Sequence, residues 1–66
     1  MSLYIIDSKT ANEIAVGFLQ QYHSVVKILK TFLDDGIWTV EVLVTSSSFK
    51  KFQVKINART GQVIGF

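Results

Sequence analysis

Sixty-six residues and 7.4 kDa make one domain, with no room for a second. With 48% hydrophobic and 18% charged residues the chain is not disordered by default; without cysteine it has no disulfides, iron–sulfur clusters or thiolate zinc sites, and one histidine cannot build a multi-histidine metal centre. A net charge of +2 and an isoelectric point near 9.2 are too weakly basic to indicate a nucleic-acid binder on their own.

The N-terminal Leu3-Tyr4-Ile5-Ile6 is apolar but stops at Asp7. It lacks the basic region, longer apolar run and small-residue cleavage site of a secretory signal. No run approaches the roughly 18 apolar residues of a membrane span. A cytoplasmic location without membrane contact is therefore expected.

Next comes helix-start chemistry. Asp7 or Ser8 can accept a hydrogen bond from the first turn, and Thr10 with Glu13 offers a capping box as an alternative. Ala11, Ile14, Ala15, Phe18, Leu19 and Tyr22 then recur at the spacing of one helix face, which predicts a helix over residues 8–23. Gly17 inside it costs on the order of 1 kcal/mol relative to Ala, tolerable if a strand backbone approaches closely there.

From Val25 the period becomes two, and strands are predicted near 25–33, 37–45 and 49–57, with a short fourth near 62–66. Asp35-Gly36 is the favoured pair for a two-residue type I′ hairpin, because both central positions need positive φ. Counting back from that turn sets Leu33 against Trp38, Thr31 against Val40, Leu29 against Val42 and Lys27 against Val44. On the other face Lys30 lies against Glu41, an attractive pair that agrees with the register. Ser46-Ser47-Ser48 makes the second turn, and Ala58-Arg59-Thr60-Gly61 the third. The expected fold is α+β in two layers, one N-terminal helix packed on a three- to four-stranded antiparallel sheet. Trp38, Val40, Val42, Leu29, Val54 and Ile56 are expected to face Ile14, Phe18 and Tyr22.

Gly36-Ile37-Trp38-Thr39-Val40-Glu41-Val42, followed by Val54-Lys55-Ile56-Asn57-Ala58-Arg59-Thr60-Gly61-Gln62-Val63-Ile64, resembles the PepSY-like family over nearly the whole chain. Those domains have a helix followed by an antiparallel meander, and their last hairpin reads roughly Asp-Ala-x-Thr-Gly-x-Val. Asn57 stands where the family usually has Asp. The resemblance implies a regulator or inhibitor of a hydrolase that acts by occupying a cleft. A looser likeness, in the helix-then-strands order alone, is to gas-vesicle accessory proteins.

Residues that might carry chemistry are few. His23 is the only side chain suited to general base work at neutral pH, and no partner for it can be named from sequence. Asp34 and Asp35 diverge in a tight turn, and the serine run has no nucleophile-elbow context. No catalytic residue, cofactor or metal site is assigned, and no enzyme activity is expected.

The counted register also places Ile28 against Leu43 and Phe32 near Ile37, all pointing away from the helix. A one-sided antiparallel sheet ordinarily shows polar residues there. Such an apolar group points to an interface, with Ile28, Phe32 and Leu43 at its centre and Lys30, Lys51 and Lys55 at its rim. Coverage of this face by residues 3–6 is the alternative. The expected function is thus a small non-catalytic protein-binding or assembly module, a homo-oligomer or the docking site of a protein partner. A PepSY-like hydrolase regulator is the second reading. Weak nucleic-acid binding is the third, with Phe32 and Phe49 as the only aromatic candidates on the outer face and Glu41 among the lysines weighing against it.

Overall fold

The computed structural model describes residues 6–66. One helix, α1 (Ser8–Leu19), packs on a four-stranded antiparallel sheet of β1 (Ser24–Asp34), β2 (Ile37–Thr45), β3 (Phe49–Asn57) and β4 (Val63–Gly65), in the order β1-β2-β3-β4. This is the expected α+β architecture, a helix followed by a meander. Among the described residues no helix is long and apolar enough to cross a membrane.

The helix starts at Asp7, whose extended backbone and side chain form the N-cap: Thr10 N donates to Asp7 Oδ1 at 2.8 Å. It ends at Leu19, earlier than the apolar spacing predicts. Gln20 N still donates to Val16 O, but Tyr22 N and His23 N both donate to Leu19 O, which closes a turn that sends the chain back along the sheet. Tyr22 therefore leaves the stripe and is 69% exposed. Ala11, Ala15 and Leu19 form the buried helix face, with Ile14 and Phe18 beside them.

Under the helix lie Val40, Val42 and Val44 of β2 and Val54 and Ile56 of β3, all fully buried. Valine and isoleucine suit these central strands because a β-branched side chain packs well on the pleat. Ile6 enters on the same side. Its N–H donates to Ala58 O at 3.2 Å, and its carbonyl accepts from Trp38 Nε1 at 2.9 Å. Ile6 thus does not cover the opposite face of the sheet, and Leu3, Tyr4 and Ile5 lie outside the described residues.

Both glycine turns follow their chemistry. Asp35 and Gly36 have φ of 51° and 76°, as a type I′ hairpin requires. At the third turn Asn57 Oδ1 accepts from Arg59 N and Thr60 N, while Gly61, at φ 79°, donates its N–H to Asn57 O. An aspartate oxygen would accept the same two hydrogens, so the turn works equally with Asn57.

The register of β1 on β2 needs correction. Asp34↔Ile37, Leu33↔Trp38, Thr31↔Val40 and Lys30↔Glu41 pair as counted from the turn. Beyond Lys30 two irregularities intervene, so that Ile28 pairs with Val42, Lys27 with Leu43 and Val25 with Val44. Leu29 and Val26 have no Cα partner on β2 and are 40% and 47% exposed. Each extra residue moves the rest of the strand to the opposite side. Ile28 accordingly faces the helix, packed against the core, and Leu29 is not a core residue.

Candidate functional site

The side of the sheet away from the helix is built by alternate residues of β1, β2 and β3. The Cα register gives its rows directly: Lys27–Leu43–Lys51, then Lys30–Glu41–Gln53, then Phe32–Thr39–Lys55. Ser24–Thr45–Phe49 closes one end, and Asp34–Ile37–Asn57 the end at the type I′ turn. Phe32, Leu43, Lys30, Lys51 and Lys55 share this face as the sequence led us to expect. Ile28 does not, and Lys27 takes the position against Leu43 that Ile28 was expected to hold. The double bulge thereby exchanges an apolar side chain for a cation.

The result is a basic surface. Lys27, Lys30, Lys51 and Lys55 project from it, against Glu41 near the centre and Asp34 at the turn end. Glu41 is already engaged: Lys51 Nζ lies 3.9 Å from Glu41 Oε1, and Gln53 Nε2 donates to Glu41 Oε2 at 3.4 Å. The Lys51 side chain is 65% exposed, so the pair is a weak one. Lys30 Nζ sits 5.2 Å from the centre of the Phe32 ring, a cation–π contact that holds an aromatic among the charges. Thr39, the only buried polar residue among the described residues, is the Cα partner of Phe32 on one side and Lys55 on the other.

One further ring flanks this surface. Phe49 is 69% exposed on the outer side of β3. Phe66, 70% exposed, turns to the helix side, its ring centre 4.8 Å from that of Phe18, and the edge of the sheet beside it carries a shallow hollow of about 670 Å³ whose lining includes Lys51, Gln53, Lys55 and Gly65. Among the described residues β4 pairs with β3 only at Lys55 and Ile56, which leaves the Phe49–Val54 stretch of β3 without a strand partner on that side.

His23 lies on the helix side. Its ring centre is 5.0 Å from that of Phe52, and its Nδ1 is buried without a hydrogen-bond partner. It borders an apolar hollow of about 260 Å³ with Phe18, Leu19, Tyr22, Phe52 and Phe66. Among the described residues none orients the imidazole for proton transfer, which needs a positioned partner. Among the described residues no three His, Asp or Glu side chains converge on a point where a metal ion would sit.

Sequence counting missed Lys27 as part of the outer surface. The signal for Lys27 lay in the triplets Val25-Val26-Lys27 and Ile28-Leu29-Lys30, a period of three that strict alternation cannot absorb. Comparison with protein-family models, with curated proteins and with solved structures finds no match to this chain.

Proposed function

We infer that this protein is a non-catalytic binding module that docks a negatively charged partner on the helix-free face of its sheet. The observation that carries the reading is the gathering of Lys27, Lys30, Lys51 and Lys55 on that one face, with Glu41 tied to Lys51 and Gln53. Self-association through the same face loses support from this arrangement. Two copies placed face to face would set lysine against lysine, and like charges brought together in an interface are strongly unfavourable. The apolar group that favoured a homodimer is also reduced once Ile28 is counted with the core.

The test compares two charge reversals of equal size. Lys27→Glu with Lys55→Glu alters the face, whereas Lys9→Glu with Lys50→Glu alters the helix and the β2–β3 turn region. Elution from immobilised heparin should shift to clearly lower salt for the first pair than for the second. Equal shifts would mean that overall charge alone is responsible and would remove the basis for the reading.

A PepSY-like regulator of a hydrolase is the second reading. It is supported by the helix-then-meander order and by the Asn57–Gly61 turn, in which Asn57 supplies the contacts that the family's aspartate would supply. In that case the negatively charged partner is the rim of the enzyme's cleft.

A further inference from the structure

We propose that the partner of this basic face is single-stranded nucleic acid, with phosphates held by Lys27, Lys30, Lys51 and Lys55 and bases stacked on Phe32 and Phe49. The proposal rests on the anion-docking reading and names the class of anion. Two of the five phenylalanines, Phe32 and Phe49, lie on the basic face, 39% and 69% exposed. Of the other three, Phe18 and Phe52 pack against the core, and the Phe66 ring centre lies 4.8 Å from that of Phe18 on the helix side.

The spacing separates this surface from a protein interface. The centre of a protein–protein contact is depleted in lysine and contiguous in apolar area. Here each ring is set apart by cations: Phe32 is two residues from Lys30 and across Thr39 from Lys55, and Phe49 is two residues from Lys51. Alternation of rings with lysines is what a single strand needs, because every base has a stacking face and every linkage a phosphate.

Geometry also argues against a duplex. Reading a major groove takes a helix or a protruding ribbon that enters it, and this surface is the broad side of a sheet. Lys51 and Lys55 stand about 13 Å apart along β3, and Lys27 and Lys51 roughly 9.5 Å apart across β2. The shallow hollow beside Lys51, Lys55 and Gly65 opens along the Phe49–Val54 stretch of β3, so that among the described residues nothing bars a single strand from lying against those lysines.

Fluorescence anisotropy with a labelled oligouridine of about a dozen nucleotides tests the proposal, alongside poly-glutamate and a duplex of similar length. Neutralising three or four phosphates predicts that affinity falls about 20- to 50-fold between roughly 50 and 200 mM salt. Phe49→Ala should weaken oligouridine binding about 5- to 150-fold without changing that salt dependence, since one stacked base is lost and no charge. Phe49 is exposed, and an unchanged circular dichroism spectrum would confirm that the variant is folded. Equal affinity for poly-glutamate and oligouridine with no effect of Phe49→Ala would overturn nucleic acid as the partner while leaving the anion-binding reading in place. Tighter binding to the duplex would overturn the single-strand assignment. Binding to none of the three would remove both.

Discussion

Asp7 and Gly61 show how single residues hold the end of the helix–sheet contact at which Ile6 enters. The Asp7 carboxyl titrates below its ordinary value of 3.8, first because it accepts the Thr10 amide hydrogen. A group whose folded-state pKa is depressed stabilises the fold above its unfolded value, and that contribution is lost as pH falls through the folded value. Asp7→Ala should therefore melt below the parent near neutral pH, with the gap narrowing as the solution is brought to about pH 2.5. Thermal melts by circular dichroism at the two pH values check this, and a gap independent of pH would show that the ionised carboxylate is not the cap. Gly61 is constrained twice over. Its φ is +79°, and a Cβ there would lie 2.8 Å from Ile6 Cδ1. The isoleucine tip can shift, but the left-handed backbone alone costs a side-chain-bearing residue about 1–2 kcal/mol. Urea unfolding of Gly61→Ala should show at least that loss.

Among the elements, β1 departs furthest from simple periodicity. Its two bulges turn Val25, Ile28 and Thr31 toward the helix, three residues apart, where Thr31 Oγ1 donates to Asn12 Oδ1 at 2.6 Å. They also break up the outer edge of the sheet, where Lys27 and Lys30 add charge, and both devices discourage edge-to-edge pairing. The consequence is an inverted pair of mutational effects. Ile28→Ala should cost about 2 kcal/mol or more as a core truncation, whereas Leu29→Thr should change stability by less than about 1 kcal/mol. Chemical denaturation of the two variants decides between the bulged register and the straight one, which exchanges the outcomes. In α1, a Cβ added at Gly17 would meet nothing within 4 Å, so no strand approaches closely there. Gly17→Ala should accordingly stabilise by up to about 1 kcal/mol, raising Tm by about 4–8 °C in a domain of this size.

At the scale of the whole molecule, one thin layer of apolar side chains joins the helix to the sheet. A chain of this length at typical stability per residue has about 3–10 kcal/mol in hand. Leu19 is the largest fully buried side chain of the helix, at 1% exposure. Leu19→Ala should cost about 3–5 kcal/mol, enough to populate the unfolded state at room temperature, which near-ultraviolet circular dichroism would register. Phe18→Ala should cost less, because Phe18 is only partly buried and leans on Tyr22 and Phe66, themselves exposed. The molecule is therefore two-sided: the helix covers one side of the sheet, and lysines cover the other.

Local chemistry determined much of this fold. Asp35-Gly36 demanded a type I′ turn, the alternating valines of β2 and residues of β3 defined a buried side, and the three-and-four spacing of Ala11, Ile14, Ala15, Phe18 and Leu19 supplied a helix to cover it. These signals are legible because each depends only on neighbours along the chain: positive φ at two adjacent positions, a pleat of two, a turn of 3.6. Tertiary structure alone decided where the helix ends and where β1 slips. Tyr22 continues the apolar spacing, yet the chain turns after Leu19 to bring Ser24 beside Thr45. Ile28 and Leu29 are adjacent and equally apolar, so pairing with Val42 depends on which of them fits beneath the helix at Val16 and Gln20, a comparison that neither residue's own neighbours can make. That choice sends Lys27 to the outer face and gives the surface its charge, because in a strand the side of every residue depends on the pairing of those before it.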